Sequence, residues 1–375
     1  MDFEGEYTMQ PASVQTGSHD PDAVYPDAVL NIARESASVF QLKRKWEKTP
    51  PMLNLAPDFQ RGLVWSNKQK SELIESILMG IPLPLIYVKE DEKGVYVIVD
   101  GKQRLSTLFS FINNEFALER LTILKDMNGL RFSELTPLAQ NKIEDCSLTL
   151  HVIKAPTSDR VTFDLFDRVN RGGTRLNNQE MRNALYQGNA TKLINSLALN
   201  PGFIEATEHS IPSKHMKDRY LVLRFIAFSL WQQHITVDLD TAVTLDYKSN
   251  LEDFLGKTMR FLNRLPENDP LFGIVESQFD KAMKLAGSII PKGGFRLPSP
   301  RGKKRPINMA FFESFSYLLS QIDIENPDYI IRDVYSRLLS DKDYLDSLTR
   351  SVDSGKQIDT RYKIVNRLIN EINLC

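Results

Sequence analysis

The spacing of apolar positions changes along this chain, and the change divides the chain into two parts. Residues 85–89, 95–99 and 148–153 are short apolar or alternating runs, which favour strands. From Ser158 onward, apolar residues recur at helical spacing almost to the C-terminus. The pattern predicts an α+β fold, in which a small α/β domain precedes a mainly α-helical domain.

Two helices carry clear start signals in the sequence. Ser66 followed by Gln69 is a capping box, and Gly80 can take the left-handed conformation that ends a helix. Asn177 followed by Glu180 repeats the capping pattern farther along the chain. The sequence therefore predicts one helix after residue 66 and another after residue 177.

The segment 95–111 joins a buried strand directly to a helix through a tight turn at Asp100 and Gly101. The unpaired N–H groups of a helix N-terminus favour an anion, and glycine lets a phosphate approach the backbone. Lys102 and Arg104 can neutralise phosphate oxygens. Asp100 is a hard oxygen ligand suited to Mg²⁺, and Gln103 can orient an attacking water. These residues predict a site for a magnesium-bound phosphate chain.

A simpler interpretation of this turn is that Asp100 only caps the helix and that the cations are a solvated first turn. Lys102 and Arg104 oppose the helix dipole there, because first turns favour carboxylates. The cost of placing two cations at that end indicates that an anion is present to receive them.

Two further groups of polar residues could reach phosphates. Arg61 lies in an extended stretch before the first capped helix, where, in isolation, a plain surface arginine is the better explanation. Arg168, Asn170 and Arg171 lie beside Gly172-Gly173, between two predicted helices. That concentration of donors suits a phosphate or base contact, and an ordinary helix–helix corner explains it equally well.

Composition limits the kinds of partner. Hydrophobic residues are 42% of the chain and charged residues 25%, so there is enough apolar surface to fold. The formal net charge is −1, which excludes a uniformly basic nucleic-acid coat, so any DNA contact must be local. The stretch 291–308 is basic, has no carboxylate and is the best candidate, although a solvated loop explains it as well. Its expected DNA contacts are Arg301, Lys303, Lys304 and Arg305.

Other classes of protein are excluded by what the sequence lacks. Cys146 and Cys375 alone cannot build a disulfide framework or a thiolate zinc site. No run of about 18 apolar residues occurs, and the N-terminus does not have the layout of a signal peptide. The expected location is the cytoplasm, with no membrane partner. Residues 1–33, which are acidic and have no Lys or Arg, are expected to form a flexible tail.

Several motifs occur in a characteristic order along the chain. They are FQRGLVW at 59–65, SILMG at 76–80, PLP at 82–84, DGKQRLSTL at 100–108, FDRVNRGG and LNNQEMRNA within 166–184 and, more weakly, KDRYLVLRFIAF at 217–228. Together they resemble the N-terminal domain of the GmrSD-type, modification-dependent restriction enzymes, the DGQQR-motif family of the ParB/sulfiredoxin superfamily. The resemblance implies a ParB-like nucleotide-binding domain at 34–155, followed at 156–375 by an α-helical domain that completes the site.

This resemblance implies nucleoside-triphosphate binding and magnesium-dependent hydrolysis in antiphage defence. The implied catalytic residues are Asp100, Gln103 and Arg104, with Asp100 also holding the metal ion. Nucleotide-binding residues are implied at Arg61, Gly101, Lys102, Arg168, Asn170 and Arg171. Lys102 stands where the family usually has glutamine, which adds a cation beside the phosphates and could alter nucleotide choice.

The resemblance leaves DNA cutting unassigned. Full-length enzymes of this type add a nuclease with a histidine base, whereas His209 and His215 here bracket a proline-containing loop and are interpreted as loop histidines. The expected partners are a nucleoside triphosphate, DNA and a separate nuclease subunit, and family analogy also allows a homodimer. The alternative function is a nucleotide-switched DNA- or protein-binding module with little or no hydrolysis. A self-contained nuclease would require Asp100, Glu180 and a histidine to converge on one metal ion.

Overall fold

The molecule combines a five-stranded mixed sheet with a mainly helical second part, which confirms the predicted α+β fold. The computed structural model describes residues 31–55, 65–91, 93–155, 157, 161–162, 165, 168, 177–213, 216–289, 295–299, 304–322 and 328–373. The predicted acidic tail lies outside these ranges except for residues 31–33, which begin the first strand.

The sheet has two edge strands and three central strands. The strands are β1 (Asn31–Ser38), β2 (Leu53–Asn54), β3 (Ile86–Glu90), β4 (Tyr96–Asp100) and β5 (Ser147–Lys154), in the spatial order β1-β5-β3-β4-β2. β5 is antiparallel to β1 and parallel to β3, while β4 is antiparallel to β3 and parallel to β2. The three strands predicted from sequence are the three central ones, because strands covered on both faces are rich in apolar residues.

Four helices cover one face of the sheet, here called the inner face. They are α1 (Val39–Glu47), α2 (Asn67–Leu78), α3 (Lys102–Ile112) and α4 (Pro137–Glu144). Their apolar residues share one core with alternate strand residues such as Ile86, Ile98 and Leu150. The predicted capping box of α2 is present, since Ser66 N–H donates to Gln69 Oε1 at 3.0 Å and Ser66 Oγ accepts from the Gln69 N–H. This packing places the N-terminus of α3 at the carboxyl end of β4.

The opposite, outer face of the sheet is in contact with α5 (Asn178–Leu185). Met181 of this helix packs against Val99 and Ile153. The predicted capping box of Asn177 and Glu180 is present at its start. Close to its end, Gln187 accepts a hydrogen bond from the Asn54 side chain at the edge strand β2. α5 is therefore attached to the sheet beside β4.

The helical part is built around one long buried helix. The helices are α6 (Asn189–Ala198), α7 (Pro201–Ala206), α8 (Lys217–Gln232), α9 (Leu251–Arg264), α10 (Pro270–Ile289), α11 (Met309–Gln321), α12 (Asp328–Ser340), α13 (Lys342–Ser347) and α14 (Gly355–Asn373). Residues 221–230 of α8 are all buried. A short ribbon, β6 (Val237–Asp238) and β7 (Val243–Thr244), departs from the predicted helical pattern, because strands of two residues are too short to show a period. Within the described ranges, no helix is long and apolar enough to cross a membrane.

Charged side chains form a buried network inside the helical core. Glu313 of α11 accepts hydrogen bonds from Arg224 of α8 and from Arg361 of α14, each at 2.5 Å. None of the three side chains is more than 3% exposed. Burial disfavours the charged form of Arg224, but the Glu313 carboxylate outweighs it and holds the pKa of Arg224 well above its ordinary value. The network joins three helices that are distant in sequence.

Candidate functional site

The turn between β4 and α3 depends on a glycine. Gly101 is the N-cap of α3 and has φ 97° and ψ 5°, a left-handed conformation that favours glycine. A Cβ atom here would lie 3.0 Å from Ile86 Cγ1 and 3.3 Å from Arg104 Nη2. Both the backbone conformation and the close approach of β3 therefore require Gly101.

The pairing of β3 with β4 is irregular beside this turn. Val88 pairs with Ile98, whereas the preceding residue, Tyr87, pairs with Asp100. One extra residue of β4, Val99, therefore lies between the two pairs, as in a β-bulge. The irregularity brings Asp100 level with Tyr87 at the point where the strand ends.

Arg104 lies in the first turn of α3, and its guanidinium is bound within the chain. Nη2 donates to Asp100 Oδ2 at 2.8 Å and to the Leu85 carbonyl at 3.0 Å, and Nη1 donates to the Pro84 carbonyl. The side chain is 12% exposed, and burial lowers the pKa of Arg104, which the Asp100 carboxylate partly opposes. Sequence reasoning expects Arg104 to be open to phosphates. Instead, the backbone carbonyls of the two residues before β3 accept its hydrogen bonds. Arg104 therefore links Asp100 to the chain at the start of β3.

Asp100 keeps one carboxylate oxygen available. Its side chain is 36% exposed, and no donor among the described residues bonds to Oδ1. Magnesium is usually held by one or two carboxylates together with substrate phosphates, and Asp100 fits the first of these roles. Among the described residues, no group of three His, Cys, Asp or Glu side chains could hold a metal ion. The convergence that a self-contained nuclease would require is thus absent from that part of the chain.

Gln103 has a buried unpaired atom at the site. Its Oε1 is buried and has no hydrogen-bond partner. Leaving a buried acceptor unpaired costs about 1–3 kcal/mol, so each such atom in a folded protein calls for a specific reason. A water or ligand that donates a hydrogen bond at the first turn of α3 would satisfy it.

The other residues predicted for nucleotide binding are only partly described. Arg168 is helical and exposed, and Lys102 is half-buried. Arg61, Asn170 and Arg171 lie outside the described residues. The structure therefore brings together the five residues of the turn, Asp100 to Arg104, and the wider set of nucleotide contacts stays a prediction.

Sequence reasoning assigned no role to two buried amides of α5. Gln179 and Asn183 are 3% and 1% exposed, and Gln179 Nε2 and Asn183 Oδ1 have no hydrogen-bond partner. Gln179 Oε1 is used by the fully buried Arg182, whose Nη2 donates to it at 3.0 Å. The available signal was the spacing of four residues, which places two amides on one side of a helix.

Hydrogen bonds join the two ends of the described part of the basic stretch that is predicted to contact DNA. The Asn308 N–H donates to the Phe295 carbonyl at 2.9 Å, and Arg296 donates to the Arg305 carbonyl. Lys304 is 61% exposed and lies 2.8 Å from Glu208, and this contact is the largest cause of the lowered pKa of Glu208. Arg305 is exposed, while Arg301 and Lys303 lie outside the described residues. Glu208 therefore offsets one of the cations predicted to contact DNA.

Comparison with known families identifies the segment that holds the turn. Residues 42–187 match the family model described as GmrSD restriction endonuclease, N-terminal domain. The match begins within α1, includes β2 to β5 and α2 to α4, and ends just after α5, so that β1 lies outside it. No curated protein and no solved structure matches the chain.

Proposed function

Because residues 42–187 of this chain are a GmrSD-type N-terminal domain, we propose that the chain binds a nucleoside triphosphate at the Asp100–Gly101 turn and hydrolyses it. The family is described by its occurrence in a restriction endonuclease. Hydrolysis here would accordingly serve restriction in antiphage defence, with the DNA cut by a separate nuclease subunit.

The unpaired Oε1 of Gln103 carries this proposal. It is a buried acceptor two residues after the left-handed Gly101, where the first N–H groups of a helix favour phosphate. An amide oxygen in that position can accept a hydrogen bond from an attacking water and hold it in line with a phosphate. In the proposed reaction, the attacking water is therefore the hydrogen-bond partner that Gln103 Oε1 lacks.

The neighbouring residues supply the remaining roles. Lys102 neutralises phosphate charge, and Asp100 Oδ1 would hold magnesium, which when bound offsets the negative charge of the phosphate oxygens. Arg104 acts as a positioning residue, because its bonds to Asp100 and to the Pro84 and Leu85 carbonyls fix the carboxylate. Its role therefore differs from the phosphate contact expected from the sequence and from the catalytic role implied by the family resemblance.

Phosphate release from each of the four nucleoside triphosphates, with magnesium and with or without duplex DNA, tests the proposal. Gln103→Ala should lower turnover about 100-fold, because the water loses its orientation, while nucleotide still binds. Lys102→Ala should weaken nucleotide binding at least about tenfold, because a charge-assisted contact is lost. The matched control is Lys125→Ala, an exposed lysine outside the turn. Unchanged turnover in Gln103→Ala would contradict the proposed role of this residue.

The second candidate is a nucleotide switch, and the attachment of α5 favours it. This helix contacts β4 through Met181, and its Arg182 bonds to Glu252 of α9. Nucleotide at the end of β4 would lie beside an element that leads into the helical core. Stoichiometric binding of nucleotide with no turnover in the wild-type protein would support this candidate over the enzyme.

For DNA, we propose that Lys304 and Arg305 contribute phosphate contacts together with Arg301 and Lys303. The number of contacts follows from the salt dependence of duplex binding. In a plot of the logarithm of the association constant against the logarithm of the salt concentration, each phosphate contact contributes about −0.9 to the slope. Arg305→Ala should lower both the affinity and this slope. An affinity that is unchanged in this variant would exclude Arg305 from the interface.

A further inference from the structure

Part of the outer sheet face is lined by aromatic and polar side chains instead of aliphatic ones. Met181 of α5 packs on Val99 and Ile153, which are both buried. On the same face, Tyr87 of β3 and His151 of β5 are only half-buried. If this face served only to pack against helices, aliphatic residues would be expected at these positions as well.

The strand register places this pair beside the phosphate turn. Tyr87 is paired with Asp100 on one side and with His151 on the other. Neighbouring strands lie about 4.8 Å apart, so the backbones of Tyr87 and His151 lie about 5 Å and about 10 Å from the backbone of Asp100. The row thus leads from the turn across the sheet towards β1, where Arg34 is paired with His151 and is exposed.

The two rings have a geometry that can receive a further ring. Their centroids are 5.2 Å apart and their planes are at 87°, an edge-to-face contact. In such a contact the edge of one ring meets the face of the other. Tyr87 also packs against the Met181 cluster, but both side chains are only half-buried, so part of their ring surface is open to another partner. Every nucleobase has a π-face, so any of the bases can stack on an aromatic side chain.

We propose that Tyr87 and His151 form the surface on which the base of the bound nucleoside triphosphate stacks, while its phosphates lie at the Asp100–Gly101 turn. The inference rests on the proposed function, because it assigns a second part of the same site. It makes the sheet face a contact for the base and the helix start a contact for the phosphates.

The base contact and the phosphate contact can be tested separately with two kinds of ligand. One is a nucleoside triphosphate, and the other is inorganic tripolyphosphate, which has no base. Equilibrium titrations with magnesium should show that Tyr87→Leu and His151→Leu weaken nucleotide binding about tenfold and leave tripolyphosphate binding unchanged. Tyr87→Phe keeps the ring and should bind nucleotide like the wild type. If a leucine variant does not fold, as judged by its thermal unfolding, Tyr87→Gln and His151→Gln take its place.

Two results would overturn the inference: nucleotide affinity unchanged in Tyr87→Leu and His151→Leu, or equal losses for nucleotide and tripolyphosphate. If Lys102→Ala weakens both ligands in that case, the inference alone fails and the proposed function stands. If the wild-type protein binds neither ligand, the proposed function fails and the base contact fails with it.

Discussion

Gln103 and Arg104 are successive residues of α3, yet their polar atoms are in opposite situations. Arg104 donates to one carboxylate and two backbone carbonyls, whereas Gln103 Oε1 has no partner. A side chain held by three hydrogen bonds within the chain can fix the shape of a site, whereas an unpaired buried atom leaves a place for a hydrogen-bonding ligand. At the residue scale, the proposed function therefore assigns positioning to Arg104 and chemistry to the adjacent Gln103.

Replacing Arg104 should test its positioning role through stability. Arg104→Ala leaves the Pro84 and Leu85 carbonyls and the Asp100 carboxylate without their donor, which should lower the free energy of unfolding by about 2 kcal/mol. Arg104→Lys should recover only part of this loss, because an ammonium cannot serve the same three acceptors in a fork. Urea denaturation measures the difference. A change below about 0.5 kcal/mol, as expected for the surface control Lys125→Ala, would show that these contacts contribute little.

Among the strands, β1 is connected to the sheet by more than its pairing with β5. Tyr96 of β4 donates its hydroxyl hydrogen bond to Glu35 of β1 at 2.7 Å, across the two strands that separate them. This hydrogen bond is the largest cause of the lowered pKa of Glu35, and Lys154, 3.0 Å away, adds to it. An edge strand with no buried residue thus gains a link to the strand that carries the candidate site.

This link predicts a pH-dependent stability. Because the pKa of Glu35 in the folded protein lies below its ordinary value of 4.5, the contribution is present above pH 4.5 and is lost as the pH falls through the folded value. Tyr96→Phe should therefore lower the free energy of unfolding by about 1 kcal/mol at pH 7, and by progressively less as the pH falls through the folded pKa of Glu35. Denaturation over a series of pH values below 7 checks this. A loss that stays the same throughout the series would mean that packing of the ring, not the hydrogen bond, is responsible.

Across the whole molecule, the sheet and the helical part are stabilised differently. In the sheet part the buried carboxylate of Glu75 accepts hydrogen bonds from backbone N–H groups, whereas the helical core contains the ionic network of Arg224, Glu313 and Arg361. A buried carboxylate that serves two guanidinium groups is hard to replace, because its removal leaves uncompensated buried charge. The helical part should accordingly be sensitive to a single charge change at its centre.

Glu313→Gln should lower the free energy of unfolding by about 3 kcal/mol, since Arg361 loses its charged partner and Arg224 keeps only the partly exposed Asp353. Asp353→Asn is the matched control. Its carboxylate also bonds to Arg224, at 2.8 Å, but is 44% exposed, so the loss should stay below about 1 kcal/mol. Circular dichroism during urea denaturation gives both values. Similar losses in the two variants would argue against burial as the source of the effect.

The sequence predicts those features that depend on neighbouring residues. The capping boxes at Ser66 and Asn177 and the strand–turn–helix at Asp100 are confirmed, since each is encoded within a few positions. β1 is not predicted, because its sequence has no strong apolar alternation and its partner β5 lies more than 100 residues farther along. The role of Arg104 is not predicted either, because its acceptors at Pro84 and Leu85 are backbone carbonyls brought close only by the fold.

The left-handed turn also determines which of its positions accept a substitution. Any side chain at Gly101 would meet Ile86, and any change at Arg104 would release three contacts, so both positions are constrained by the scaffold itself. Lys102 lies between these constraints in a helical position that accepts most residues. If the turn binds nucleotide as proposed, Lys102 is therefore the position at which a substitution changes ligand preference and leaves the backbone of the turn intact.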